Sequence, residues 1–294
     1  MRGQELMYHN SLSTRPSIER DQLLEWTRRA GQIALDHLED ATPQIKPDES
    51  FLTQVDLDIE RFLTERIRAA YPDHGLISEE GTRAVDGCSS TDVWVVDPLD
   101  GTTAFVQGLP GWGISIGLLH RGRPCFGLFY MPLLDDLSYT TGQAAVGYGD
   151  RGPHQAIRTD WRKKGFLAVS ASAHHGFDID VRRTRTLGSV GASLVYTARG
   201  AAAAALIPKA RVWDLVAGAA ILAEAGGELR YLSGDRIDYL ELVDGRLARE
   251  AVIAGHPDLL DELSSLIRPR SLSNSVGDGR IQEDHYEDMS VSSS

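Results

Sequence analysis

The chain has 294 residues, 42% of them hydrophobic, enough to bury a large core and to divide into two subdomains. Its formal charge of −12 argues against a surface for polymeric nucleic acid, which would carry a basic stripe. Two distant cysteines, Cys88 and Cys125, with no CxxC pair, exclude a zinc knuckle or thiol redox motif and suit a reducing compartment.

Residues 1–16 are polar, read as a flexible leader, and show no apolar signal-peptide core. No stretch approaches 18 apolar residues, so the reading is a cytoplasmic protein with no membrane partner. Ser17 is placed to cap a helix running to about Glu39, because Leu23, Leu24, Trp26, Ile33, Ala34 and Leu38 recur near helical spacing. A two-proline loop over residues 41–48 precedes a second helix, about 54–70, whose apolar face is Val55, Ile59, Phe62, Leu63, Ile67 and Ala70; Pro72 ends it. A short strand at residues 75–77, the pair Glu79-Glu80 and a Gly/Ser-rich hinge at 81–91 follow.

From Val93 the pattern becomes strands. Residues 93–96 lead into a Pro/Gly-bent turn, and 113–120, 124–131 and 136–140 read as an antiparallel meander. Glycine-rich basic residues at 141–165 mark a boundary, giving an α+β subdomain over 17–155 and an α/β subdomain over 156–268. In the second, the spacing predicts a strand at 166–170, a helix at 178–187, an alanine-rich helix at 193–201 and a helix at 213–225 closed by Gly226-Gly227. Residues 269–294, Ser-rich and nearly devoid of apolar side chains, are expected to be disordered.

The chemistry concentrates in Trp94-Val-Val-Asp-Pro-Leu-Asp-Gly-Thr-Thr-Ala-Phe105, where a strand ends on Asp97 and Asp100, followed by the hydroxyls of Thr102 and Thr103. Hard oxygen ligands at a sharp bend suit Mg²⁺, and a strand ending in such a turn frees backbone N–H groups for an anion. Asp56, Glu79 and Asp214 are further acidic groups able to converge there; Asp214 begins a helix whose face, Ala217-Gly218-Ala219-Ala220, is small enough to approach other backbone closely. Clustered carboxylates that hold cations reconcile an acidic protein with an anionic substrate. Other arrangements are poorer. No G-x-S-x-G elbow surrounds Ser172 beside His174-His175, and the two-residue gap between Asp97 and Asp100 does not fit an aspartyl-phosphate motif. The run Arg182–Arg185 reads as a solvated helix face.

These motifs resemble the inositol monophosphatase family of Mg²⁺-dependent, lithium-sensitive sugar phosphatases. Residues 94–105 match the family pattern W-x-x-D-P-[ILV]-D-G-T-x-x-F at every fixed position. Trp213-Asp214 with Glu224-Ala-Gly-Gly227, Ser78-Glu79-Glu80 and Thr53-Gln-Val-Asp56 match three further elements, so the likeness spans about residues 17–265. The resemblance implies a layered αβαβα sandwich, a homodimer, and two or three Mg²⁺ ions per site held by Glu79, Asp97, the Leu99 carbonyl, Asp100 and Asp214. It implies direct attack on a small phosphorylated polyol or sugar by water that Glu79 and Thr102 orient, with Asp56 accepting from the Thr102 hydroxyl. Gly101 and Thr102 would cradle phosphate, with Asp100 and Asp214 also facing the substrate and Gly191, Ala192 and Ser193 facing its ring hydroxyls. Lys46 is a candidate match to a lysine carried before the second helix.

Three positions depart from the inositol-specific pattern. Ala192 stands for threonine, Ile207 for a sugar-binding glutamate and Gln107 for a basic residue, while Lys209 and Arg211 are placed to meet a second negative group. The alternatives are therefore relatives acting on 3′-phosphoadenosine 5′-phosphate, fructose 1,6-bisphosphate or histidinol phosphate, or a non-catalytic metal-binding regulator.

Overall fold

The computed structural model describes residues 17–47, 50–81, 90–143, 146–148, 156–160 and 165–270. The leader, most of the 81–91 hinge and the tail beyond Arg270 lie outside these residues.

Helix α1 (Arg20–Asp36) packs beside α2 (Gln54–Ala70). The expected Ser17 cap is not used. The helix starts three residues later because the Glu19 N–H donates to the Tyr71 hydroxyl at 3.0 Å, which fixes the chain's entry, and it ends at Asp36 rather than near Glu39. Helix α2 keeps its predicted bounds. Thr53 caps it, accepting from the Val55 N–H, while Asp56 accepts from the Thr53 N–H at 2.7 Å. Its stripe of Val55, Ile59, Leu63 and Ile67 is buried, each side chain contributing at most about 1.5–3 kcal/mol.

That stripe rests on a six-stranded sheet ordered β3 (Gly75–Ser78), β4 (Asp92–Asp100), β5 (Gly113–His120), β6 (Arg123–Met131), β7 (Asp136–Thr140) and β8 (Val146–Tyr148). β3 and β4 run parallel and the remainder antiparallel, so the expected meander is present with one more strand, β8. Alternation along β4 divides two cores: Trp94 and Val96 face α1 and α2, whereas Val93 and Val95 face the opposite way.

The second face is covered by α5 (Val190–Ala198) and α6 (Val212–Glu224). Beyond them lies a mixed five-stranded sheet ordered β11 (Thr184–Arg185), β9 (Leu167–Val169), β12 (Ala204–Ile207), β14 (Val252–Gly255) and β13 (Glu228–Tyr231), backed by α7 (Pro257–Ser265). Helices therefore alternate with sheets in the expected αβαβα order. The predicted helix at 178–187 is absent. Phe177, Ile179 and Val181 alternate with polar residues, and Phe177–Ile179 forms a strand (β10) antiparallel to Ile267–Pro269 (β15), while Thr184–Arg185 joins β9. The arginine run is thus an exposed edge segment, strand only at Thr184–Arg185, and not helix face. The alanine-rich helix starts at Val190, on a Ser189 cap, rather than at Ser193; Ala204 and Ala205 belong to β12.

Glycines set how closely α6 meets the first sheet. A Cβ at Gly127 would lie 2.1 Å from the Ala217 carbonyl oxygen, and one at Gly117 would lie 2.8 Å from the Ala217 nitrogen. The small-residue face of α6 sits directly on the strand backbone. At its far end Glu224 braces the helix, its Oε1 accepting from the Thr141 N–H at 2.6 Å and hydroxyl at 2.7 Å. Arg199, at the end of α5, makes a buried ion pair with Asp136 on β7 and donates to the Ser138 hydroxyl.

Candidate metal centre and active site

Strand β4 pairs regularly with β5 down to Asp97, then shifts register before Asp100. Pro98 supplies no backbone donor there, and Gly101 takes φ +93°, a left-handed conformation that suits glycine, before the short helix α3 (Thr102–Val106). The bulge turns both aspartates toward the N-terminus of α6. One carboxylate oxygen from each of Asp97, Asp100 and Asp214 lies within 4.8 Å of the others, and none of the three forms an ion pair with a described residue. Acidic groups separated by more than a hundred positions thus share one pocket.

Each carboxylate has a backbone anchor. Asp97 accepts from the Leu99 N–H at 3.1 Å, and Asp214, in the first turn of α6, from the Arg211 N–H at 2.6 Å. Asp100 is held by the N-terminus of α5, accepting from Gly191 at 2.5 Å and Val190 at 3.3 Å. A carboxylate there also meets the positive end of the helix dipole. Burial raises Asp97 well above the ordinary carboxylate range, and Glu79, Asp100 and Asp214 raise it further. Burial and then Asp100 and Glu79 do the same to Asp214. Asp100 is pushed by burial to about 6, against the lowering effect of its α5 hydrogen bonds. A buried set of all-oxygen donors raising one another in this way fits a hard divalent cation, which would relieve the mutual repulsion.

Glu79 follows β3 and donates its N–H to the Val96 carbonyl, one residue from Asp97. Its side chain is engaged by Lys46, whose ammonium lies 2.9 Å from Glu79 and 2.6 Å from Glu80. The hairpin β1 (Gln44–Ile45) and β2 (Phe51–Leu52) carries Lys46 to this position. Burial together with Glu79 pushes Glu80 to about 7 despite the lysine.

The Thr102 hydroxyl lies 3.0 Å from Asp56 Oδ1 and 3.1 Å from the Leu99 carbonyl. It has one proton, and the carboxylate is the stronger acceptor. Donation to Asp56 leaves the Leu99 carbonyl available to a cation. Asp56 is fixed by Thr53, and burial raises its pKa. The N–H groups of Gly101 and Thr102 make no hydrogen bond to a described residue.

Gly191, Ala192 and Ser193 sit beside the carboxylates, with their donors engaged inside the protein. Gly191 binds Asp100, the Ala192 N–H donates to Ser189 Oγ at 3.1 Å, and the Ser193 N–H and hydroxyl both donate to the Ser189 carbonyl. This segment holds Asp100 in place. Ile207 is buried in β12; Arg211 donates to the Gly245 carbonyl and lies over the Trp213 ring; Lys209 and Gln107 are exposed. Three contributors escaped the sequence reading. Glu60, one turn after Asp56, accepts from the Ser78 hydroxyl at 2.5 Å and so fixes the strand end before Glu79. Gly117 and Gly127 bring α6 into reach, and an isolated glycine within a strand is the signal that marks such an approach.

Helices and sheets in five alternating layers, with an acidic pocket where the bulged end of β4 meets the N-termini of α5 and α6, define a layered α+β protein built around a carboxylate cluster. A model of the inositol monophosphatase family matches residues 19–264, and the chain belongs to that family. It is 28% identical over 260 residues to the Nus factor SuhB of Pasteurella multocida, covering 82% of this chain and 92% of that one. It is 29% identical over 249 residues to the inositol-1-monophosphatase of Bacillus subtilis, covering 80% and 91%. The solved Thermotoga maritima IMPase superposes with a TM-score of 0.72 at 22% identity, over 85% of this chain and 96% of that chain, and shares its fold. Among the described residues no helix is long and apolar enough to cross a membrane.

Proposed function

We propose that this chain is a Mg²⁺-dependent phosphomonoesterase that hydrolyses a small phosphorylated polyol or sugar. The observation that carries this reading is the convergence of buried Asp97 and Asp100 with half-buried Asp214, none in an ion pair with a described residue, beside the Thr102–Asp56 pair. The three aspartates, the Leu99 carbonyl and Glu79 are the groups that would hold the ions. Bound there, Mg²⁺ supplies positive charge to the phosphate and acidifies water. Thr102, donating to Asp56, keeps its lone pairs for a water proton, and Glu79 would offer a second acceptor. The N–H groups of Gly101 and Thr102, without a hydrogen bond to a described residue, would receive phosphate oxygens. The lead substrate is an ester of the inositol 1-phosphate type; Ile207, buried where inositol-specific enzymes carry an acid, keeps 3′-phosphoadenosine 5′-phosphate, fructose 1,6-bisphosphate and histidinol phosphate as the alternatives.

The test is phosphate release from that panel and from inositol 1-phosphate, with Mg²⁺ titrated, chelated by EDTA, or opposed by Li⁺. The expected result is Mg²⁺-dependent turnover that Asp97→Asn lowers at least ~100-fold in kcat, the scale of a lost principal electrostatic group. Near-full activity of that variant at saturating Mg²⁺ refutes the site. Mg²⁺ binding without turnover on any ester refutes the enzyme and favours a non-catalytic role, as the Nus factor name of several relatives invites.

A further inference from the structure

The outer edge of the second sheet carries charge of the opposite sign to the protein as a whole. Residues 182–186 are all exposed, and β11 is the terminal strand of its sheet among the described residues. Arg182, Arg183, Arg185 and Arg268 make no ion pair with a described residue, although acidic residues outnumber basic ones by 42 to 30 over the chain. Thr184 pairs with Leu167 of β9 in parallel register, and the Leu167 N–H donates to the Arg183 carbonyl at 3.0 Å. In a parallel ladder this pairing uses the backbone of the residues flanking Thr184 and leaves Thr184's own N–H and C=O on the open edge. An exposed edge of this kind is a template for an added strand.

The described chain ends beside that edge. Thr184 and Thr186 line one cavity, of about 640 Å³, together with Arg268 and Arg270. The Arg270 N–H is tied to the Gly176 carbonyl at 2.8 Å, so the tail starts from a fixed point on the cavity wall. The tail holds Glu283, Asp284, Glu287 and Asp288 within residues 283–288, thirteen positions past Arg270. Thirteen residues span at most about 45 Å extended and about 20 Å as a coil, ample for a target on the same cavity.

We propose that residues 283–288 dock along the open edge of β11 as an added strand, their carboxylates meeting the unpaired arginines. The alternation matches on both faces. Thr184 and Thr186 face the cavity, where Arg268 also lies, while Arg185 faces the other way and covers the Phe166 ring. In an extended tail, Glu283 and Glu287 fall on one face and Asp284 and Asp288 on the other, so each face of the edge receives two carboxylates. Each exposed pair is weak. Tethering gives an effective concentration in the millimolar range, so a segment of submillimolar intrinsic affinity is docked most of the time.

The experiment is hydrogen exchange at the Thr184 amide and its neighbours in the full chain. The comparison is a full-length variant with the tail charges neutralised (E283Q, D284N, E287Q, D288N), each at low salt and in 0.5 M NaCl (about 4 Å screening length). The expected result is exchange at least ~10-fold faster in the variant at low salt, with high salt bringing the parent chain to the same rate. Equal exchange in the two proteins at low salt overturns the proposal. So does protection that rises with protein concentration and survives neutralisation, because that assigns the edge to a second copy of the chain.

Discussion

Replacing Gly127 with alanine adds one methyl group between β6 and α6. That carbon would stand 2.1 Å from the Ala217 carbonyl oxygen, where ordinary C···O contact begins near 3.3 Å. The shortfall is about 1.2 Å, and the obstacle is helix backbone rather than a rotatable side-chain end. Helix α6 must lift or β6 must bend. Asp214 is one turn from Ala217 on the same helix, so it is carried away from Asp97 and Asp100. Overpacking of this kind costs about 1–3 kcal/mol, and a displacement near 1 Å at a reacting centre lowers rates by roughly 100-fold. Mg²⁺ titration by calorimetry, phosphate-release kinetics and urea denaturation should therefore show weaker ion binding, a large loss of kcat and a lower midpoint together. Gly176→Ala is the control, since nothing lies within 4 Å of its would-be Cβ. A Gly127→Ala protein that binds Mg²⁺ and turns over like its parent would refute the claim that this contact positions Asp214.

The metal-free protein should lose stability as pH rises. Burial and mutual repulsion hold the cluster carboxylates above their unfolded values, so the folded state binds more protons. That advantage is fully present below about pH 4 and is lost as pH rises through the folded values, about 6 for Asp100 and about 7 for Glu80. Asp100 alone, carried from 3.8 to about 6, accounts for on the order of 3 kcal/mol. Melting in EDTA should fall by several degrees between pH 5 and pH 8, and Mg²⁺ should remove the fall; a melting temperature that rises over this window contradicts the cluster. Arg199→Met strands Asp136 in the interior and should destabilise by about 3–5 kcal/mol, read as a drop of roughly 10 °C in Tm. Glu224→Ala removes the acceptor for Thr141 and Gly142 and should cost about 1–3 kcal/mol in chemical denaturation, with Mg²⁺ half-saturation unchanged.

Local signals of uniform kind were legible. The α2 boundaries followed from a 3.6-residue stripe and a following proline, and these agree with the packing. The bend at Asp97 and Asp100 was legible because proline and glycine dictate backbone shape. Over residues 177–185 a two-residue alternation competed with charges that suit a helix, and pairing with the distant β15 decided for strand. Long-range anchoring likewise moved the start of α1 from Ser17 to Arg20, through Tyr71. Gly191, Ala192 and Ser193 were legible as neighbours of the site, whereas the Asp100 partner that takes the Gly191 donor is 91 positions away and outside any sequence window. Buried ties such as Arg199–Asp136 and Glu60–Ser78 carry no local signature at all.

The grip of α5 on Asp100 has a thermodynamic consequence. On the proposed function, a polyol or sugar would reach for the N–H groups of Val190 and Gly191, the same ones that steady this carboxylate. A ligand drawing them away loosens the aspartate, and an ion tightening the aspartate releases them. Linkage makes the two effects equal in free energy. In this scaffold, preference among ligands and retention of the ion cannot be tuned independently.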